Sequence, residues 1–310
     1  MYLIEALDIT KEYEGHKALN KVSVQIPENS IYGLLGPNGA GKTTFIRIIN
    51  HITAPDSGTV LFDQHSLQPG DTKHIGYLPE ERGLYKKMKV GEQIIYLAQL
   101  KGLSRNEAKI RMKKWLSRFE INHWEKRKIE ELSKGMQQKI QFITTVIHEP
   151  RLLIFDEPFS GFDPVNTELL KQEIFELKKK GATIILSTHN MNSVEELCDE
   201  ISLINCSQVV LQGNVSDIQE QYKKNLFKIK ISSGKLPETG SHYTLISENK
   251  IFNGTEIILR KTDSIPVNEL IVRLAEKYPI TTFEEILPSM NEIFIDTVEK
   301  NSDIKFEQNE

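Results

Sequence analysis

IYGLLGPNGAGKTTFIRIIN, Ile31–Asn50, decides how the rest of the chain is read. A short apolar run, Ile31–Leu35, ends in Gly36; a glycine-rich turn follows, and then apolar residues recur at helical spacing. Strand, glycine turn and helix in that order are the setting a phosphate-binding loop needs, and Gly36–Thr43 fits G-x-x-x-x-G-K-[ST]. Glycines let the backbone wrap closely, so that N–H groups face phosphate oxygens. The positive N-terminal end of the helix that starts near Lys42 adds to them. The candidate nucleotide-binding set is Gly36, Pro37, Asn38, Gly39, Ala40, Gly41, Lys42, Thr43 and Thr44. Lys42 is assigned to the β- and γ-phosphates and the Thr43 hydroxyl to Mg²⁺. The competing reading is a glycine-rich turn with an incidental lysine; the flanking strand and helix weigh against it.

A magnesium ion held by one hydroxyl needs a carboxylate nearby. RLLIFDEP, Arg151–Pro158, supplies Asp156 and Glu157 directly after a buried-looking strand. In an open parallel sheet the ligand crevice lies at the carboxyl ends of the strands. Asp156 is therefore a candidate metal ligand. Glu157 is a candidate base for the water that attacks the γ-phosphate. An isolated Asp-Glu pair reads equally as a solvated turn; the phosphate loop upstream is what tips it. No N-K-x-D segment of the kind that reads guanine occurs, which favours ATP over GTP.

Taken in order, the loop at Gly36–Thr43, LSKGMQQ at Leu132–Gln138, LLIFDEP at Leu152–Pro158, SGFD at Ser160–Asp163 and STH at Ser187–His189 resemble the ATP-binding cassette (ABC) ATPases. The resemblance covers roughly residues 1–220. It implies an α/β P-loop fold: a RecA-like core with an N-terminal antiparallel β subdomain and a helical insertion. It also implies that two chains pair head to tail, a homodimer or a pair of close paralogues, with the Ser133 hydroxyl and the Gly135 N–H of one chain on the γ-phosphate held by the other. By the same resemblance Tyr13 stacks on adenine, and Asp163 communicates across the dimer. His189 holds the γ-phosphate and the attacking water, joining Glu157 and Lys42 as the catalytic set. Read without the resemblance, Ser133 is an ordinary helix N-cap, Tyr13 a half-buried strand residue and His189 a structural histidine.

Two positions depart from the family pattern. Lys134 and Met136 occupy the third and fifth places of the usual L-S-G-G-Q, while Gly135 is kept. Glu80, in IGYLPEERGLY, stands where most members have a glutamine that touches Mg²⁺; its carboxylate is a third candidate metal ligand, after Thr43 and Asp156. YLPEERGLY, LSKGMQQK and the short tail together resemble ATPase subunits of ABC-2-type exporters, similar to sodium-extrusion ATPases and some peptide-antibiotic resistance pumps. That likeness implies an integral membrane permease docked near Glu80–Lys128, and a cytoplasmic protein held at the inner face of the membrane through it. The alternative is a soluble ABC ATPase that remodels ribosomes or nucleic acid. Such proteins typically carry two cassettes or a long coiled coil, and this chain has neither.

Composition agrees with these expectations. The net charge of −4 lacks the basic excess of a nucleic-acid binder, so no nucleic-acid partner is expected. Two cysteines, Cys198 and Cys206, rule out a disulfide framework and fit a reducing compartment. The first residues lack a basic stretch followed by an apolar core, and no apolar run approaches the ~20 residues that span a bilayer. The ATPase domain is expected over residues 1–222, its helical insertion at about 88–148. A small α+β domain is expected over 223–300, closing on a strand at EIFIDTV, and a polar tail over 301–310.

Overall fold

A computed structural model describes residues 1–81, 83–233, 239–240, 242–262 and 264–307. They divide into two compact units, Met1–Val215 with the segment from Thr297 onward, and Ser216–Asp296. The expected boundary at 222 and the observed one at 215 bracket a single short helix, Val215–Gln221.

In the first unit, β1 (Tyr2–Tyr13) and β2 (His16–Pro27) form a long antiparallel hairpin. Glu14 and Gly15 at its tip both have positive φ, 45° and 81°, the two-residue turn whose twist matches the strands. Next come β3 (Ile31–Leu35) and α1 (Lys42–Ile49), then β4 (Ser57–Phe62) and β5 (His65–Ser66), which complete the four-stranded sheet β2-β1-β4-β5. After β6 (Ile75–Leu78) the chain enters the helical insertion, α2 (Val90–Leu100), α3 (Arg105–Arg118) and α4 (Lys134–Val146). It returns through β7 (Leu152–Asp156), α5 (Pro164–Lys179), β8 (Thr183–Ser187), α6 (Met191–Leu197), β9 (Glu200–Asn205) and β10 (Gln208–Asn214).

The second sheet runs β10-β9-β3-β8-β7-β6, parallel except for β10. Every residue of β3, β7 and β8 is buried, which is why these strands read as unbroken apolar runs. Parallel pairing brings the carboxyl ends of β3, β6, β7 and β8 to one edge, with Leu34 opposite Ser187 and Asp156 opposite Ser187. The insertion is fixed to that sheet by a chain of rings: Trp115 contacts Phe142 at 6.0 Å, and Phe142 contacts Phe155 of β7 at 5.6 Å.

α3 owes its start to a capping box. The Ser104 hydroxyl accepts from the Glu107 N–H (3.3 Å) and the Glu107 carboxylate accepts from the Ser104 N–H (3.1 Å). Ser104→Ala is expected to destabilise the protein by about 1 kcal/mol. A lowered urea midpoint with an unchanged m-value would register it.

In the second unit, α7 (Val215–Gln221) leads into β11 (Leu226–Ile231), β12 (Thr239–Gly240), β13 (Tyr243–Ile251), β14 (Gly254–Lys261), α8 (Val267–Ala275) and β15 (Ile280–Ile286). The strands form an antiparallel sheet in the order β12-β13-β14-β11-β15. Alternate residues of β11, Phe227, Ile229 and Ile231, face Leu270 and Leu274 of α8 in the core.

One expectation is corrected here. EIFIDTV, read as a last strand, lies inside α9 (Met290–Glu307). Ser289 and Glu292 make a reciprocal cap, Ser289 N–H to Glu292 Oε2 at 2.8 Å and Glu292 N–H to Ser289 Oγ at 3.2 Å. The buried residues Met290, Ile293 and Thr297 then fall on one helical stripe, while Ile295 is exposed. The alternation of Ile293 and Ile295 was the misleading signal. The backbone stays helical into the expected polar tail as far as Glu307; the tail residues 308–310 lie outside the described residues.

Candidate functional site

The loop between β3 and α1 has a backbone that only glycine can follow. Gly36 (φ 147°) would place a Cβ 2.1 Å from the Ile204 carbonyl oxygen, and Gly41 (φ 116°) would place one 2.3 Å from the Ala18 carbonyl oxygen. At the first turn of α1, Lys42 is buried, and its Nζ donates to Gly36 O (2.7 Å) and Pro37 O (3.1 Å). Burial lowers its pKa; the charges of Glu157, Asp156 and Glu80 push it back up.

These groups share a cavity of about 430 Å³ whose walls include Tyr13, Lys42, Thr43, Glu80, Asp156 and Glu157. They arrive from four places: the end of β1 at the hairpin tip, the start of α1, the segment after β6 and the end of β7. Tyr13 is half exposed, with the Lys11 ammonium 5.4 Å from its ring centre. Arg47, one turn on from Thr43, also lines the cavity, as do His16 and Ala18. The sequence reading did not single these out; for Arg47 the helical spacing was the available signal.

Asp156 is buried at the end of β7, which drives its carboxyl above the ordinary aspartate range. The Ser187 hydroxyl pulls the other way, and the negative charges of Glu80 and Glu157 raise it further. A buried carboxylate in the field of two others is eased by a further cation, and the oxygens of Thr43, Asp156 and Glu80 are of the kind a hard divalent ion takes; among the described residues no three His, Cys, Asp or Glu side chains are gathered closely enough to hold one by themselves. The sign of the pH effect follows. Between the unfolded and the raised folded pKa the native state holds more protons, so stability falls as pH rises through that window. Asp156→Asn is therefore expected to raise the melting temperature of the ligand-free protein at neutral pH, and to shrink that rise as the pH falls through the window. Thermal unfolding of both proteins across the acidic range checks it.

Glu157 follows with φ 49°, its N–H donating to Ser187 O at 2.9 Å. The turn aims its carboxylate at the end of β8. Oε1 accepts from the His189 N–H (3.0 Å) and from His189 Nδ1 (2.7 Å), and Oε2 accepts from Thr188 Oγ1 (3.4 Å). A carboxylate only accepts, so Nδ1 carries the hydrogen, on a ring that is 73% exposed.

Ser133, Gly135, Asp163 and His189 lie outside the lining of this cavity. Ser133 is exposed and caps α4, its hydroxyl accepting from the Met136 N–H at 3.3 Å. Nothing lies within 4 Å of where a Gly135 Cβ would sit, so the backbone there is open to approach. Asp163 caps α5, accepting from the Asn166 N–H at 3.0 Å, a bond that holds its carboxyl below the usual range. The structure thus gathers the phosphate loop, the carboxylates and Tyr13 into one site, and leaves the α4 tip facing outward.

Comparisons with known proteins identify the family. The ABC transporter family profile matches residues 19–160, and that of the DrrA1-3-like ATP-binding protein C-terminal domain matches residues 213–298. An uncharacterized ABC transporter ATP-binding protein, YhaQ of Bacillus subtilis, is 42% identical over 94% of this chain and 96% of its own length. The ABC transporter ATP-binding protein NatA of Bacillus subtilis is 36% identical over 70% of this chain and 92% of its own. A solved ATP-binding subunit of an ABC transporter superposes with a TM-score of 0.67 at 31% identity, covering 71% of this chain and 93% of the other.

Proposed function

This chain belongs to the ABC transporter ATP-binding family, and from that premise we propose that it is an exporter's ATPase subunit whose hydrolytic site is completed by a second chain. The observation that carries the proposal is the division of labour just described. Lys42 faces Asp156, Glu157 and Glu80 across one cavity, while Ser133 and Gly135 stand outside it at an exposed helix N-terminus. A helix N-terminus with open N–H groups is suited to a phosphate, and it has one only if another chain brings it. Two copies pairing head to tail satisfy both halves.

The residues divide the work as follows. The Gly36–Thr43 backbone and Lys42 bind the phosphates and take up their charge. Tyr13 carries the adenine ring. Thr43, Asp156 and Glu80 would hold Mg²⁺. When bound, that ion supplies a counter-charge to the phosphate oxygens. Glu157 accepts the proton of the attacking water, and His189, already bonded to Glu157, offers its Nε2 to the same water. Ser133 and the Gly135 N–H of the opposing chain complete the shell around the γ-phosphate. Asp163, at the cap of α5, is the contact through which one site senses the other.

The transport partner is an integral membrane permease, and the chain works at the cytoplasmic face of the membrane. Among the described residues no helix is long and apolar enough to cross a bilayer. The insertion offers a docking surface: Tyr85 and Tyr96 meet edge to face at 6.0 Å, and with Leu100 they are exposed on or beside α2.

Specific ATPase activity measured against protein concentration tests the pairing. It should rise with concentration and then saturate. A rate per chain that stays constant down to the dilute limit overturns the shared site. Membrane fractionation with and without the permease tests the second partner; unchanged membrane association in its absence overturns that assignment.

A further inference from the structure

The segment that carries Glu80 leaves β6 at Leu78, so the sheet no longer fixes it. A side chain from α4 takes over. Gln141 is 6% exposed, and its Nε2 donates to Pro79 O (3.1 Å) and to Glu81 O (3.3 Å), the carbonyls on either side of Glu80. One planar amide thus spends both hydrogens on bracketing a single residue. One helical turn earlier on the same face, Gln138 donates from Nε2 to the Ser160 carbonyl, in the loop between Glu157 and Asp163. Gln137 ties the helix start to Ile129 O (3.2 Å) and Leu132 O (2.9 Å).

We infer that Gln141 is the positioning residue that sets Glu80 against Lys42 and Asp156, and that α4 is the rigid lever joining Glu80 to the Ser133 tip. Gln141 lies eight residue steps along the chain from the Ser133 cap, about 12 Å at 1.5 Å per residue. A displacement of the tip by an opposing phosphate is carried along that length without bending. It reaches the Glu80 carboxylate through two hydrogen bonds, and Ser160 through a third. Gln141 acts through the backbone around Glu80 and not by touching nucleotide or metal. The inference rests on the metal role proposed for Glu80.

The test uses the full chain with Mn²⁺ as the probe. Electron paramagnetic resonance reads the affinity of the ATP complex for Mn²⁺, and a fluorescent ATP analogue reads nucleotide affinity in the absence of metal. Gln141→Met keeps the bulk and removes the donors. It is expected to weaken Mn²⁺ binding by about ten-fold, as loss of an outer-shell partner does, with metal-free nucleotide affinity changed by less than about two-fold. In a Glu80→Ala background the same substitution should cost nothing further. Unchanged Mn²⁺ affinity in Gln141→Met overturns the inference, and so does an equal loss in the Glu80→Ala background. If Glu80→Ala itself leaves Mn²⁺ affinity intact, the metal role of Glu80 fails and the inference falls with it. If Glu80→Ala weakens binding and Gln141→Met does not, only the inference falls. Should the methionine variant not fold, Gln141→Asn, which keeps an amide too short to reach both carbonyls, is read by the same criteria.

Discussion

Glu157→Gln is expected to slow ATP hydrolysis by about 10³-fold while leaving ATP affinity within roughly two-fold of the parent. The amide keeps the outline of the side chain, and its oxygen still accepts from the His189 N–H, which bonds Glu157 Oε1 at 3.0 Å in the parent. What it loses is the capacity to take a proton. Removing one negative charge also relieves a cavity that Glu80, Asp156 and Glu157 all line. Binding therefore survives, and the nucleotide-bound pair persists because nothing discharges it. Steady-state turnover, equilibrium nucleotide binding and size-exclusion chromatography with ATP check the three parts together. A variant that turns over rapidly and elutes as a monomer places the base elsewhere.

Ser133→Arg is expected to reduce hydrolysis to background while ATP affinity in dilute protein stays unchanged. Ser133 lines no part of the cavity that holds Lys42, so one chain alone does not feel the arginine through the nucleotide. A hydroxyl can accept from the Met136 N–H and still donate to a phosphate; a guanidinium at the same exposed tip fills the space the opposing chain needs. Loss of the cap itself costs about 1 kcal/mol, which a thermal melt separates from the catalytic loss. A fall in affinity that parallels the fall in rate, at concentrations where the chain is monomeric, overturns the role in trans.

The core of the fold was legible because its strands are buried on both faces. Ile31–Leu35, Leu152–Asp156 and Thr183–Ser187 are mostly apolar runs, the last two ending in the polar Asp156 and Ser187, and the parallel sheet brings those ends together. The phosphate loop was legible because Gly36 and Gly41 have no room for a side chain. Two kinds of feature were not. In EIFIDTV a helical stripe and a strand alternation overlap, and the cap at Ser289 decides between them. β15 (Ile280–Ile286) was missed outright: ITTFEEI carries four polar residues, two on each side of Phe283, and no clean alternation. The bracing glutamines of α4 were invisible for another reason. Gln141 meets partners about 60 positions away, and no local pattern announces an amide that bonds across the fold.

The seat of Lys42 has a kinetic consequence. Its ammonium rests on two main-chain oxygens, those of Gly36 and Pro37. In the phosphate-binding role proposed for Lys42, an arriving phosphate would trade places with partners already in hand, so the lysine would not be stripped of solvent at that moment. The reverse trade is equally short when phosphate departs, because the same oxygens stand ready to receive the ammonium. Capture and release then share one shallow path, which suits a motor that must reset after every stroke.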